Sequence, residues 1–380
     1  MSRDVNSISI SFDLLLAAST AAVTAFSKPC AARASNPANV VPPGEQTALR
    51  EAGFEPVVVS SGAVAAGMGI LGLDSRPRKI NERQATAAVG QGYLIQRYNE
   101  ELSHYNLVGA QVLLTRTDLA DRERYGNAQN TLDALLKKGV VPIINENDTV
   151  VVEELCFGDN DRLSALVACL VDAQLLVIFS DVDGFYDANP HTNHNAVVIP
   201  QIEDITEEIE KLAGGSGSSI GTGGMSSKLQ AAKIVTGTGI GMLILNGSRP
   251  EELKRFLSGT SVGTYFLPRN GRLPSRKRWL AWGAISEGTI QVDMGAKAAI
   301  LDEGKSLLPS GVVKQEGSWE RGHLVKVIDQ DGDEIARGLA LISSKELAKC
   351  KGLHSEEAAA VIGMEKACEV IHRDCLTITK

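Results

Sequence analysis

A chain of 380 residues with 43% hydrophobic and 22% charged residues is long enough for two domains and an ample core, in an ordinary globular balance. Aromatic residues make up only 4% while glycines number 37, the mix of an α/β enzyme with many glycine turns. The net charge of −8 argues against nucleic acid as the main ligand, and six cysteines without a C-x-x-C pair favour free thiols over a disulfide framework.

The first stretch is irregular. Residues 8–26, ISISFDLLLAASTAAVTAF, are apolar, but Asp13 interrupts them and the run is too broken for a membrane span. AARAS at 31–35 resembles a signal-cleavage site, and residues 14–44 hold no acid, as in transit peptides. Two readings stay open for 1–43: an organelle-targeting segment on a protein otherwise expected in the cytoplasm, or a disordered or wrongly assigned beginning.

From about residue 45 the text becomes regular. PVVVS (56–60), VGAQVLL (108–114), VVPII (140–144), LLVIF (175–179) and MLIL (242–245) are near-continuous apolar runs, the pattern of parallel strands buried on both faces. Between them Ala88, Ile95, Tyr98, Leu102 and Tyr105 make one helical stripe. Leu163, Leu166, Val167 and Leu170 make another, with Asp159 or Asn160 as its N-cap. The prediction for 44–268 is a three-layer α/β sandwich around a mainly parallel sheet. Residues 269–286 read as a linker, with five basic residues between Arg269 and Arg278. GTIQVD, HLVKVID and EIARGLAL then alternate in strand fashion around the turn QDGDE, which predicts a small β-rich domain over 287–370 and a tail over 371–380.

Chemistry is expected where strands end. INENDTV (144–150) follows one strand and FGDNDRLSAL (157–166) runs into a helix, so Asp148, Asp159, Asn160 and Asp161 would converge on one crevice at the carboxyl ends of the strands. Acids and amides there suit a small ligand with an ammonium group, or Mg²⁺ on phosphates. Read alone, NEND is a turn and GDND a helix cap; two such clusters in one short stretch favour a site. SSGAV (60–64) also follows a strand, and small residues there let backbone amides and the Ser61 hydroxyl approach a carboxylate. Ser180 and Asp181 end the next strand, where a nucleotide base or ribose would lie.

GTGGMSSK (221–228) precedes the helical text KLQAAKIV. It is not a P-loop, because no glycine stands directly before Lys228, nor a dinucleotide fingerprint, because Ser226 takes the last glycine's place. Consecutive glycine amides can still form an anion nest at a helix N-terminus, with Lys228 as the point charge. The other glycine run, TGTGIG (236–241), lies between a helix and the next strand, at the wrong end of the sheet, and reads as a turn.

In order, SSGAVAAG, AAVGQ, LLTRTDLADRERYGNAQNTL, PIINENDTV, GDNDRLSALVA, SDVDGFYDANP and GTGGMSSKLQAA resemble the glutamate 5-kinases of the amino-acid kinase superfamily. VDMGAKAAI, SLLPSGV, GSWERGHLVKV and GDEIARGLALISSKEL resemble the PUA barrel domain that follows the kinase in many members. The resemblance spans about 45–380 and implies ATP-dependent phosphorylation of the glutamate side-chain carboxylate, the first step toward proline, with Mg²⁺ beside ATP and no dedicated metal site. Carried over by motif, Ser61, Asp148 and Asn160 would bind glutamate. Ser180, Asp181, Thr222, Gly223, Gly224, Met225, Ser226, Ser227 and Lys228 would bind ATP, with Lys228 and Asp181 in catalytic roles. A homo-oligomer is also implied. RNA binding by the PUA segment is not expected, since 287–380 holds twelve Lys/Arg against sixteen Asp/Glu.

One departure stands out. The family opens on a strand ending in V-K-x-G-[ST], and nothing like it occurs here; before Arg76 the basic residues are Arg3, Lys28, Arg33 and Arg50. A central strand and a catalytic lysine are therefore expected to be missing, with Lys28 or Arg33 as the first substitutes to test. Removing such a charge typically costs about 10²–10³ in rate, so the expectation is a weak kinase, or a glutamate- and ATP-binding regulatory relative without turnover.

Overall fold

The computed structural model describes residues 54–150, 160–190, 192–214, 224–269, 277, 279–280, 286–364 and 367–379, together with the backbone of 23–27. It divides into two compact units, residues 1–119 with 123–272, and residues 273–380 with 120–122.

The first unit is built in chain order from β1 (Val23–Ser27), β2 (Glu55–Val59), α1 (Ala63–Leu71), α2 (Ile80–Ser103), β3 (Gly109–Leu114), α3 (Arg116–Ala120), α4 (Arg122–Lys137) and β4 (Val141–Glu146). It continues through α5 (Asn160–Leu170), β5 (Leu175–Ser180), β6 (Gln201–Ile202), α6 (Glu207–Ala213), α7 (Met225–Thr236), β7 (Gly241–Asn246), α8 (Glu252–Leu257) and β8 (Thr264–Phe266). The eight strands form one sheet in the order β3-β4-β2-β1-β5-β7-β8-β6. β2 and β3 pair with β4 in parallel, as does β5 with β7.

Strand register sorts the apolar runs onto two faces. Val58 with Ile143, and Val177 with Leu243, share one face, where α2 packs on the first pair and α8 on the second. The alternate residues, Val59, Ile144, Leu176, Ile178, Met242 and Ile244, are just as buried and belong to the face that α5 and α7 cover. Both faces are therefore dry, which is why these strands read as unbroken hydrophobic runs. The helical stripe in α2 forms largely as expected, with Leu102 buried and Ile95 and Tyr98 packed on the same cluster; Ala88 faces out instead, and the first half of the helix buries Ala87, Gly90 and Leu94. Gly90 is invisible to a hydrophobic pattern, yet a Cβ there would lie 1.8 Å from the Ala63 carbonyl oxygen.

The central slot is not vacant. β1 lies between β2 and β5 and is antiparallel to both, pairing Val23 with Val59 and Ile178, and Ser27 with Glu55. The expected missing strand is thus replaced by a different one running the opposite way. TGTGIG is a turn between α7 and β7, with Gly239 at φ 84°. Most of the expected linker, including 270–276, lies outside the described residues.

The second unit runs β9 (Gly288–Val292), α9 (Met294–Leu301), β10 (Val312–Gly317), β11 (Leu324–Ile328), β12 (Glu334–Leu339), α10 (Ser344–Cys350), α11 (Ser355–Ile362) and β13 (Leu376–Ile378). Its sheet order is β10-β9-β11-β12-β13 around a core that includes Ile290, Trp319, Val325, Ile335 and Ile371. Among the described residues this sheet stays open, with β10 and β13 at its edges, so the expected barrel is corrected to an open five-stranded sheet. The expected tail also changes character: β13 pairs with β12, Leu376 opposite Gly338. The QDGDE turn forms as read, because Asp329 accepts the N–H groups of Asp331 and Asp333 at 3.1 and 2.9 Å while Gly332 supplies φ 91°.

Candidate active site

The carboxyl ends of β2, β4, β5 and β7 open on the same edge of the sheet, since β2 and β5 are both antiparallel to β1. At the end of β2, Ser60 is buried and its N–H donates to the Ile144 carbonyl at 2.8 Å, one residue beyond the strand. Its hydroxyl accepts from Tyr98 Oη at 3.1 Å, and burial pushes that phenol's pKa up. Ser61 follows, half-buried, and Gly62 at φ 95° turns the chain into α1. A left-handed backbone here favours glycine.

β4 ends in a buried amide. Asn145 donates to Gln91 Oε1 at 2.8 Å and accepts the Glu146 N–H at 2.9 Å. Its oxygen also accepts from Asn160 Nδ2 at 3.1 Å, and the same Asn160 nitrogen donates to the Ser60 carbonyl at 2.5 Å. Asn160, first residue of α5, therefore bridges the ends of β2 and β4. Asp148, three residues past Asn145, is half-buried; burial raises its pKa, against the pull of Arg83 and Arg76.

The next residue of α5 faces a different group. Asp161 is 1% exposed, and its Oδ2 accepts from Ser227 Oγ at 2.6 Å and from Lys228 Nζ at 3.1 Å. Lys228 is itself 2% exposed, so this is a buried ion pair between the first turns of α5 and α7. Gly224 is the N-cap of α7, Met225 and Ser227 are half-buried, and Ser226 is exposed. Thr222, Gly223 and Asp159 lie outside the described residues. At the end of β5, Ser180 is buried and donates to Asp181 Oδ1 at 3.1 Å, while Asp181 is exposed.

Two consecutive residues of one helix thus join the candidate amino-acid end, through Ser60 and Asn145, to the candidate phosphate end, through Ser227 and Lys228. Motif reading assigned no individual role to Ser60, Asn145, Gln91 or Tyr98, and it placed Asp161 in the ligand crevice rather than in the buried pair with Lys228. The available signal was a polar residue directly following an apolar strand, as Asn145 follows VVPII, because a buried amide must be given partners.

A model of the amino acid kinase family matches residues 45–246, and a PUA domain model matches 288–362. The chain is 55% identical over 331 residues to "Glutamate 5-kinase" of Desulfitobacterium hafniense (strain Y51), covering 87% of this chain and 89% of that protein. It belongs to the glutamate 5-kinase family. Further members are that of Geobacter sulfurreducens, 52% identical over 330 residues (87% of this chain, 88% of the other), and that of Moorella thermoacetica, 50% over 327 residues (86% of each).

The family match begins at residue 45, so β1 lies outside it. Its direction decides what reaches the site. Val23 stands beside Val59 at the site edge, whereas Ser27 pairs with Glu55 at the opposite edge, about 13 Å away along the strand. Lys28, itself outside the described residues, follows Ser27 directly. Arg33, the other expected substitute for the family's lysine, likewise lies outside the described residues.

Proposed function

We propose that this chain phosphorylates the side-chain carboxylate of L-glutamate with ATP, giving glutamyl 5-phosphate for proline synthesis. The observation that carries the reading is the first turn of α5, where Asn160 engages the ends of β2 and β4 and Asp161 engages Ser227 and Lys228. Its support in sequence is 50–55% identity to glutamate 5-kinases over most of the chain. In this reading Asp148 pairs with the substrate ammonium, and Ser61 and Asn160 orient glutamate. Ser180 and Asp181 meet the nucleotide, and residues 222–228 hold its phosphates. A carboxylate nucleophile is already ionised, so positioning and charge neutralisation carry the rate rather than a general base. Lys228 supplies charge and Asp161 fixes where that charge sits.

Mg²⁺ would arrive on ATP. It keeps most of its waters and needs one or two carboxylates beside phosphate oxygens, a demand that the exposed Asp181 fits. Among the described residues no group of three His, Cys, Asp or Glu forms a cage for a metal. The same reading takes 44–268 as the kinase domain, 269–286 as linker and 287 onward as the PUA domain, in a cytoplasmic homo-oligomer that does not use RNA as a ligand. No helix among the described residues is long and apolar enough to cross a membrane.

The test is glutamate-dependent ADP release by the purified 380-residue chain with Mg-ATP, beside a chain whose residues 1–43 are replaced by a strand ending in V-K-x-G-[ST]. Turnover in the first supports the reading, and a gain of about 10²–10³ in the second measures what the absent lysine contributes. No glutamate-dependent ADP from either chain refutes it.

A further inference from the structure

The loops that leave β5 and β7 run side by side at the candidate nucleotide end, and one carboxylate ties them together. Ser180 lies opposite Asn246 in the parallel pair, and the Gly247 N–H donates to the Ser180 carbonyl at 2.7 Å. Three residues past Ser180, Asp183 Oδ1 accepts from Asn246 Nδ2 at 2.6 Å and from the Arg249 guanidinium. The Asn246 side chain is engaged at its other end too, since its Oδ1 accepts the Ser248 N–H at 2.9 Å. Arg249 is held in turn by Glu252, 3.2 Å away and largely buried. The Asn246 hydrogen bond, then Arg249 and Tyr186, hold the Asp183 carboxyl below the ordinary range. Asp183 is thus ionised at neutral pH, and the loop that begins with Ser180 and Asp181 is fastened to the loop of β7 at two points, through the Ser180 carbonyl and through Asp183.

We propose that Asp183 is a positioning residue for the nucleotide: through Asn246 and Arg249 it fixes the loop carrying Ser180 and Asp181, without touching the transferred phosphate. The proposal rests on the kinase reading above. A half-exposed ion pair alone contributes little. Here an amide and a guanidinium converge on one oxygen, one from the last residue of β7 and the other from the loop that follows it. Truncating Asp183 frees Ser180 and Asp181 at one end while leaving β5, β7 and the glutamate end untouched.

The experiment compares steady-state kinetics and thermal midpoints of the full chain with those of Asp183→Ala, Asp183→Asn, Asn246→Ala and the double variant Asp183→Ala with Asn246→Ala. Asp183→Ala should raise KM for ATP about five- to ten-fold, with KM for glutamate within about two-fold and little change in midpoint. Asp183→Asn keeps an acceptor oxygen for both partners and should recover most of the loss. The double variant should lose clearly less than the sum of the two single losses, because both remove the Asp183–Asn246 link. An unchanged KM for ATP in Asp183→Ala would overturn the proposal, as would equal rises in both KM values with a fall in midpoint, the mark of a merely structural role. If the parent chain neither releases glutamate-dependent ADP nor binds Mg-ATP by calorimetry, the kinase reading fails and takes this proposal with it. A working parent with an indifferent Asp183→Ala refutes the positioning role alone.

Discussion

Replacing Gly90 by alanine puts a methyl carbon 1.8 Å from the Ala63 carbonyl oxygen and 2.4 Å from the Gly67 nitrogen. Both neighbours are backbone, so no side chain can rotate away. A carbon–oxygen contact relaxes at about 3.3 Å, so α1 and α2 must part by roughly 1.5 Å. Overpacking of this kind costs about 1–3 kcal/mol, against roughly 0.5–1 kcal/mol that alanine gains over glycine inside a helix. The net expectation is a loss of about 1–2 kcal/mol. The functional cost should be larger, because Ala63 opens α1 two residues after Ser61, and a displacement near 1 Å at a substrate-positioning element is worth about 10² in rate. Gly92 lies two residues on in the same helix, with nothing within 4 Å of the place an added methyl would take. Gly92→Ala should therefore stabilise by about 0.5–1 kcal/mol and leave turnover alone. Urea unfolding and glutamate-dependent ADP release on both variants decide the matter. If the two substitutions move stability in the same direction, the backbone contact between α1 and α2 is not what the geometry says.

Lys228→Met strands Asp161 in the interior and should cost about 3–5 kcal/mol in urea unfolding, while adding Asp161→Leu restores most of it; a single-variant loss below about 1 kcal/mol would contradict the buried pair. Asp148→Asn should raise KM for glutamate about 10- to 100-fold, the scale of a charge-assisted hydrogen bond. Because burial raises the Asp148 pKa, its contribution to stability is present below the unfolded value and lost as pH rises through the folded one. The same Asp148→Asn variant should therefore be more stable than the parent at pH 7; equal unfolding midpoints there would refute this. Glu346 behaves oppositely. Arg321 first, and then the Ser343 N–H and hydroxyl, hold it down at about 2. Its stabilisation is full above the ordinary value near 4.5 and drains as pH falls toward 2. Glu346→Gln should flatten that acid limb, and an unchanged pH profile would show the capping carboxylate to be irrelevant.

Sequence alone determined the elements whose signal is carried by side-chain hydrophobicity. PVVVS, VVPII and LLVIF became β2, β4 and β5 with ends shifted by one or two residues, because burial on both faces leaves no polar alternation to blur them. Motif order also placed Asn160 and Lys228 at helix starts near strand ends. Tertiary structure decided the rest. Strand direction has no signature in composition, so only the registers Val23–Val59 and Ser27–Glu55 show β1 to run backwards through the centre of the sheet. Glycine contributes no hydrophobic signal, so the contact of Gly90 with Ala63 was silent although it sets how closely α1 and α2 approach. Residues 376–378 gave too short a run to predict, and they became β13 only because β12 offered an edge. The division of labour between Asn160 and Asp161 was likewise illegible: adjacent helical residues point about 100° apart, and it is the neighbours, Ser60 and Asn145 on one side and Ser227 and Lys228 on the other, that give each its partner.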